Sequence, residues 1–249
     1  MRRETEAWPT KSGVIGMISA ALGIARNESL ARFEGLRFGV RADQPGTVMC
    51  DFQTAEGEKT EEKTHLSWRY YLQDAVFLAA LEGDDRGKLE EYQHALAAPY
   101  YQLFLGRRSC PPDGPVQTWL SEEGLEDSLR HAPWRATEQY QRYVLNGKGR
   151  FRTYRFPEIV IEPRPDESKT DDFVEELIDE PISFDQRRRE WKPRRIMRLR
   201  NDVQPAPTVM IPSEGNNDAV AGEMPPSRDT PFDDDTFFDA VADATLEEL

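Results

Sequence analysis

Pro9-Thr10-Lys11-Ser12-Gly13-Val14-Ile15-Gly16-Met17-Ile18-Ser19-Ala20-Ala21-Leu22-Gly23-Ile24 carries no charge after Lys11. Thr10 or Ser12 can cap a helix there, and Val14, Met17, Ile18, Ala21 and Leu22 recur at helical spacing. Gly13, Gly16 and Ser19 would let another backbone approach closely. The next patterned segment, Leu36-Arg37-Phe38-Gly39-Val40-Arg41, alternates apolar with polar or small residues and ends in Asp43-Gln44-Pro45-Gly46, which reads as a strand entering a turn. Helix and strand patterns are therefore mixed along the chain, and the fold class expected is α+β.

Further elements follow the same logic. Residues 54–67 are polar and read as a loop or a solvent-facing hairpin. The run from Tyr70 to Leu81 is apolar, its second half suiting a buried strand, and Lys88 to Ala98 places Leu89, Tyr92, Ala95 and Leu96 on one helix face before Pro99. Tyr101 to Leu105 suggests a short strand leading into Gly106-Arg107-Arg108-Ser109-Cys110-Pro111-Pro112, a rigid basic turn. A helix is expected near Ser121 to Leu129 and a strand at Glu158 to Glu162, bounded by Pro157 and Pro163. In Ile196-Met197-Arg198-Leu199-Arg200, Met197 and Leu199 face one way and Arg198 and Arg200 the other, giving a strand with one basic face. Beyond Val203 six prolines break any regular element. The expected organisation is one domain over 1–204 and a Pro-rich acidic tail over 205–249, disordered or closing in a short docking helix at 233–244.

The chain has 249 residues and a formal net charge of -14, which by itself argues against a phosphate-rich partner. The charge is unevenly placed. The last 37 residues hold 11 acidic side chains and one basic, whereas residues 187–200 hold eight basic side chains and one acidic, Glu190. Such density, with Arg107-Arg108 elsewhere and Trp191 available for stacking, suits single-stranded nucleic acid. The alternative is internal neutralisation of the arginines by the acidic stretch 166–180. Cys50 and Cys110 lack any CxxC or histidine clustering and fit either two thiols or one bridge. The longest low-charge stretch, Ser12 to Ala25, is too short to cross a bilayer, so a soluble cytoplasmic protein is expected, without a membrane partner.

Catalytic signals are sparse. His94 and His131 are isolated in sequence; only His65, near Lys63 and Tyr70, resembles a metal-free ribonuclease grouping, in which imidazole or lysine moves protons and stabilises phosphate charge. No HExxH, P-loop or Rossmann fingerprint is present, and the acidic clusters lack an ordered ligand spacing. No metal and no cofactor are expected.

Four segments together resemble the CasD family, the Cas-five-type subunits of type I-E CRISPR Cascade. They are Pro9 to Gly23; Phe38 to Asp43 with Asp51-Phe52-Gln53-Thr54; Tyr71 to Phe77 with Tyr101 to Pro111; and Asp179 to Asp185 leading into the arginine run. The resemblance implies a ferredoxin-like core related to RNA-recognition domains of the RAMP superfamily, with an inserted thumb hairpin at about 42–70. It implies a non-catalytic subunit that holds the 5′ handle of CRISPR RNA and touches the Cascade backbone subunits and the large PAM-reading subunit. Lys11, Ser12, Arg41, Arg107, Arg108, Arg187, Arg188, Arg189, Arg195, Arg198 and Arg200 are the RNA-binding candidates. Such proteins begin with an apolar strand and a Gly-Pro-Met-Gln-like turn. Only eight residues precede Pro9 here, so the first core strand is expected to be absent, as a misplaced start codon would explain.

Overall fold

The computed structural model describes residues 2–55, 65–145, 157–164, 174–199 and 207–208. In chain order these hold β1 (Arg2–Arg3), α1 (Lys11–Ala21), a 3₁₀ turn (Ala31–Phe33), β2 (Arg37–Gln44), β3 (Thr47–Ala55), β4 (His65–Gln73) and β5 (Val76–Glu82). There follow α2 (Arg86–Ala97), α3 (Leu125–His131), α4 (Glu138–Leu145), β6 (Ile159–Ile161), β7 (Val174–Ser183) and β8 (Glu190–Leu199). Five strands form an antiparallel sheet in the order β5-β2-β6-β8-β7, and β1-β4-β3 form a second, smaller sheet. The fold is α+β, as the mixed periodicities imply.

The two sheets part at one point. Gln44 at the end of β2 pairs with Val76 at the start of β5, so β3 and β4 leave the main sheet and return as an inserted antiparallel hairpin. Gly46 makes this exit possible. Its φ is +76°, and a Cβ there would lie 2.6 Å from the Gln73 carbonyl oxygen, so any side chain would combine left-handed strain with a clash. Gln44 closes the base of the hairpin by donating from Nε2 to the Asp74 carbonyl at 2.6 Å.

Each face of the main sheet has its own core. On one side α1, α2 and the 3₁₀ turn bring Ile15, Ile18, Phe33, Leu36 and Tyr92 together with Leu81 and Leu89. On the other, Leu125 and Leu129 of α3 pack on Ile159, Ile161, Leu78 and Met197; each such buried aliphatic contributes about 1.5–3 kcal/mol. Gly39 permits the second core, because a Cβ there would sit 2.8 Å from both Leu129 and Ile161.

Several expectations need correction. Residues 101–105 form no strand: the Tyr100 and Tyr101 amides donate to Ala21 and Ala20 at the C-terminal end of α1, and Leu105 N–H closes a turn on Cys110. The helix near 121–129 begins at Leu125. The basic strand starts at Glu190, not Ile196, and pairs with β7, which the acidic composition of 174–183 conceals. β5 is an edge strand of intermediate burial, with no partner but β2 among the described residues. Of the helical set Val14, Met17, Ile18, Ala21 and Leu22, Ile18 and Ala21 are buried and Val14 and Leu22 pack partly buried against the core, which also takes in Ile15. Lys63, Arg200, the acidic stretch 166–173 and all of the tail expected over 205–249 except 207–208 lie outside the described residues.

Candidate nucleic-acid interface

The start of α1 is held by a buried charge cluster. Thr10 caps the helix through its side chain, which accepts from Gly13 N–H at 3.1 Å. The first helical amide, Lys11 N–H, donates to the Asp179 carboxylate of β7 at 2.8 Å. The favourable electrostatics of a helix N-terminus are thus already met by an internal carboxylate. Arg194 of β8 grips the same Asp179 through Nε and Nη2 and lies over the Phe38 ring. The Lys11 ammonium bonds the Leu36 carbonyl at 2.7 Å, Glu162 at 3.0 Å and Glu180 at 2.6 Å. Two cations therefore face three carboxylates with little water.

Burial raises the Glu162 carboxyl above its ordinary value of 4.5, against the opposing pull of Lys11 and Arg194. A carboxyl whose pKa is higher in the folded than the unfolded chain contributes stability that is fully present below the unfolded value. That contribution is lost as pH rises through the folded one. The urea midpoint therefore contains a component that declines as pH rises above about 4.5, and Glu162→Gln, which keeps the shape without the charge, removes it. Superimposable midpoint-versus-pH curves for the two proteins would refute this assignment.

Beside this anchored helix lies a groove of about 700 Å³. Its floor includes Gly13, Gly16 and Ala20 of α1 with Ser12 and Ser19, and its walls carry Tyr101, Phe104, Phe184 and Trp191. Arg26, Arg108 and Arg189 also line it, and no carboxylate among the described residues does. In a chain of net charge -14 this is a locally cationic, aromatic trough, the combination that phosphates and stacked bases require.

The structure divides the predicted basic residues. Arg108 and Arg189 line the groove with Ser12, and Arg187 and Arg188 are exposed in the β7–β8 turn beside it. Lys11 and Arg41 are instead turned into the protein, 4% and 0% exposed, with their donors on internal acceptors. Arg107 bonds backbone carbonyls. Arg198 pairs with Glu158 and Glu175 over the Trp8 ring, and Arg195 stands opposite Glu176 in the β7–β8 register. Internal neutralisation thus holds for the strand half of the arginine run, at Arg194 and Arg198, while the turn half is exposed, with Arg188 Nε 3.4 Å from its neighbour Glu190. Arg26, Tyr101, Phe104 and Phe184 were missed. Tyr101, Phe104 and Phe184 lie in segments that carry the resemblance, but no local spacing shows that they and Arg26 meet beside α1.

Of the alternative catalytic grouping, Lys63 and the His65 side chain lie outside the described residues. His65 and Tyr70 are five positions apart on β4, about 16 Å along an extended strand. Among the described residues no three or more His, Cys, Asp or Glu could hold a metal ion. Cys50 and Cys110 are free thiols.

The inserted hairpin has one apolar face. Register sets Val48, Cys50 and Phe52 of β3 opposite Leu72, Tyr70 and Trp68 of β4, and the Phe52 and Trp68 rings lie 4.5 Å apart. Phe52, Trp68 and Leu66 are each about half exposed (49%, 45% and 51%), a surface suited to a partner. No helix among the described residues is long and apolar enough to cross a membrane.

Residues 1–201 match the family model described as CRISPR-associated protein (Cas_Cas5). The CRISPR system Cascade subunit CasD of Escherichia coli (strain K12) is 33% identical over 133 residues, covering 46% of this chain and 59% of that protein. The alignment thus spans about three fifths of that relative. A chain of a CRISPR RNA-guided surveillance complex is 29% identical with a TM-score of 0.60, over 81% of this chain and 82% of that one. A second solved Cas protein is 30% identical with a TM-score of 0.58, over 82% and 87%.

Proposed function

Because the chain belongs to the CRISPR-associated protein (Cas_Cas5) family, we propose that it is a non-catalytic Cascade subunit whose groove beside α1 holds the 5′ handle of CRISPR RNA. The observation that carries this reading is the groove's lining, three arginines and four aromatic rings without a carboxylate among the described residues. Splayed single-stranded RNA is recognised by such a surface through phosphate contacts and sequence-tolerant stacking. Among the described residues the groove's lining contains no His, Lys, Cys or carboxylate, so these supply no general acid or base that titrates near neutral pH.

In this reading α1, β2, β5 and α2 belong to a ferredoxin-like core, and the β3–β4 hairpin is its thumb, meeting a backbone subunit through the Phe52 and Trp68 face. The large PAM-reading subunit is the further partner. Ser12, Arg26, Arg108, Arg187, Arg188 and Arg189 form the RNA-facing set. The test is site-specific photocrosslinking in a complex co-purified with the products of neighbouring genes. Crosslinkers at positions 108 and 189 are expected to label the handle of a guide RNA of uniform length, and one at position 198 is not. Assembly without an RNA crosslink at either groove position would sink the reading and favour a protein-only scaffold.

A further inference from the structure

The two adjacent arginines of Leu105-Gly106-Arg107-Arg108-Ser109-Cys110 point to opposite sides of one tight loop. Leu105 N–H bonds the Cys110 carbonyl at 2.9 Å, Cys110 N–H returns to the Arg107 carbonyl at 2.9 Å, and Gly106 takes a φ of +70°. Gly106 and Arg108 form part of the groove wall. Arg107 reaches away from it. Its Nη1 donates to the Tyr70 carbonyl of β4 at 2.8 Å, and its Nη2 donates to the carbonyls of Arg3, at 3.2 Å, and Glu4. The guanidinium lies 5.1 Å from the centre of the Tyr71 ring, whose hydroxyl is 3.3 Å from Ser109 Oγ.

We infer that Arg107 is a positioning residue. It fastens the groove wall to the inserted hairpin and the N-terminal segment, and so presents Arg108 to RNA without touching RNA itself. The chemistry favours arginine for this task. Three carbonyls on two separate segments converge on one planar fork, whereas the ammonium of lysine is a single point on a flexible stem and cannot reproduce the fork. Lysine would, however, still serve as a phosphate contact. The substitution Arg107→Lys therefore separates fastening from direct binding.

The inference rests on the groove being the RNA site, and the experiment keeps the two claims apart. Binding of a short fluorescein-labelled single-stranded RNA to the full chain is measured across a salt series for Arg107→Lys, Arg107→Ala, Arg108→Ala and the Arg107→Ala/Arg108→Ala double variant, with circular dichroism checking the fold. Both Arg107 variants are expected to bind roughly tenfold more weakly, and the double variant no more weakly than Arg108→Ala alone. Its salt slope should match that of Arg108→Ala, since one phosphate contact is lost in each. Hydrogen exchange in the free protein is expected to quicken at the Leu105 and Cys110 amides of Arg107→Lys. Wild-type binding by Arg107→Lys, or additive losses with a doubled drop in slope, would overturn the inference, as would unchanged exchange. Wild-type binding by Arg108→Ala alongside quickened exchange would instead overturn the groove as the RNA site and leave the fastening as a structural clasp.

Discussion

Arg41→Ala is expected to lower unfolding free energy by about 3–5 kcal/mol, read as a fall in the urea midpoint with little change in slope. The side chain is fully buried and bonds both Asp43 carboxylate oxygens through Nε and Nη2. Its remaining donors reach the Leu129 carbonyl at 2.6 Å and the Ala132 and Pro133 carbonyls at 2.8 Å, at and just beyond the C-terminal turn of α3. These are groups that a helix leaves unpaired, at its negative end. Asp43 extends the network by accepting from Arg135 N–H at 2.7 Å through its carboxylate and from Trp134 Nε1 at 2.8 Å through its carbonyl. Removing the guanidinium would strand a buried carboxylate and three carbonyls together. Arg41→Ala/Asp43→Ala is expected to be less damaging than the sum of its parts, because it leaves no unpaired charge. A single-variant loss under about 1 kcal/mol, the size of an exposed ion pair, would show that the network does not carry α3.

Arg41 also shows why part of the site could not be read from the chain. In Phe38-Gly39-Val40-Arg41 the alternation correctly gives a two-faced strand, and an arginine on one face reads as wet. That face is covered by α3, whose contacting residues lie some ninety positions later. The elements legible in sequence were those whose signals are local: the Thr10 cap of α1, the alternation of β2, the one apolar face of α2 ahead of Pro99, and the short apolar β6 between prolines. β7 was hidden because its acids do different things. Asp179 is buried as the partner of α1 and Arg194, while Glu175 and Glu176 face solvent. The arginine run was legible as a basic segment but not as two halves, since the division depends on where β8 begins. The Tyr101 and Phe104 wall depends on backbone bonds to the end of α1 that leave no periodic trace.

Replacing Arg108, Arg189 and Trp191 together by alanine is expected to weaken single-stranded RNA binding by roughly a hundredfold or more, and the three losses should differ in kind. Each arginine neutralises one phosphate, so its removal lowers the slope of log affinity against log salt by about 0.7. Trp191, 40% exposed on the groove wall, offers a stacking face worth about 1–3 kcal/mol per base and no charge; its loss should weaken binding equally at all salt concentrations. Arg198→Ala is the internal control. Its guanidinium is engaged by Glu158 and Glu175, so a general dependence on net charge would make it behave like Arg189→Ala, whereas a dependence on the groove leaves it close to wild type. If the three arginine substitutions shift affinity and slope alike and Trp191→Ala changes neither, binding is diffuse electrostatics, and the aromatic trough has no part in it.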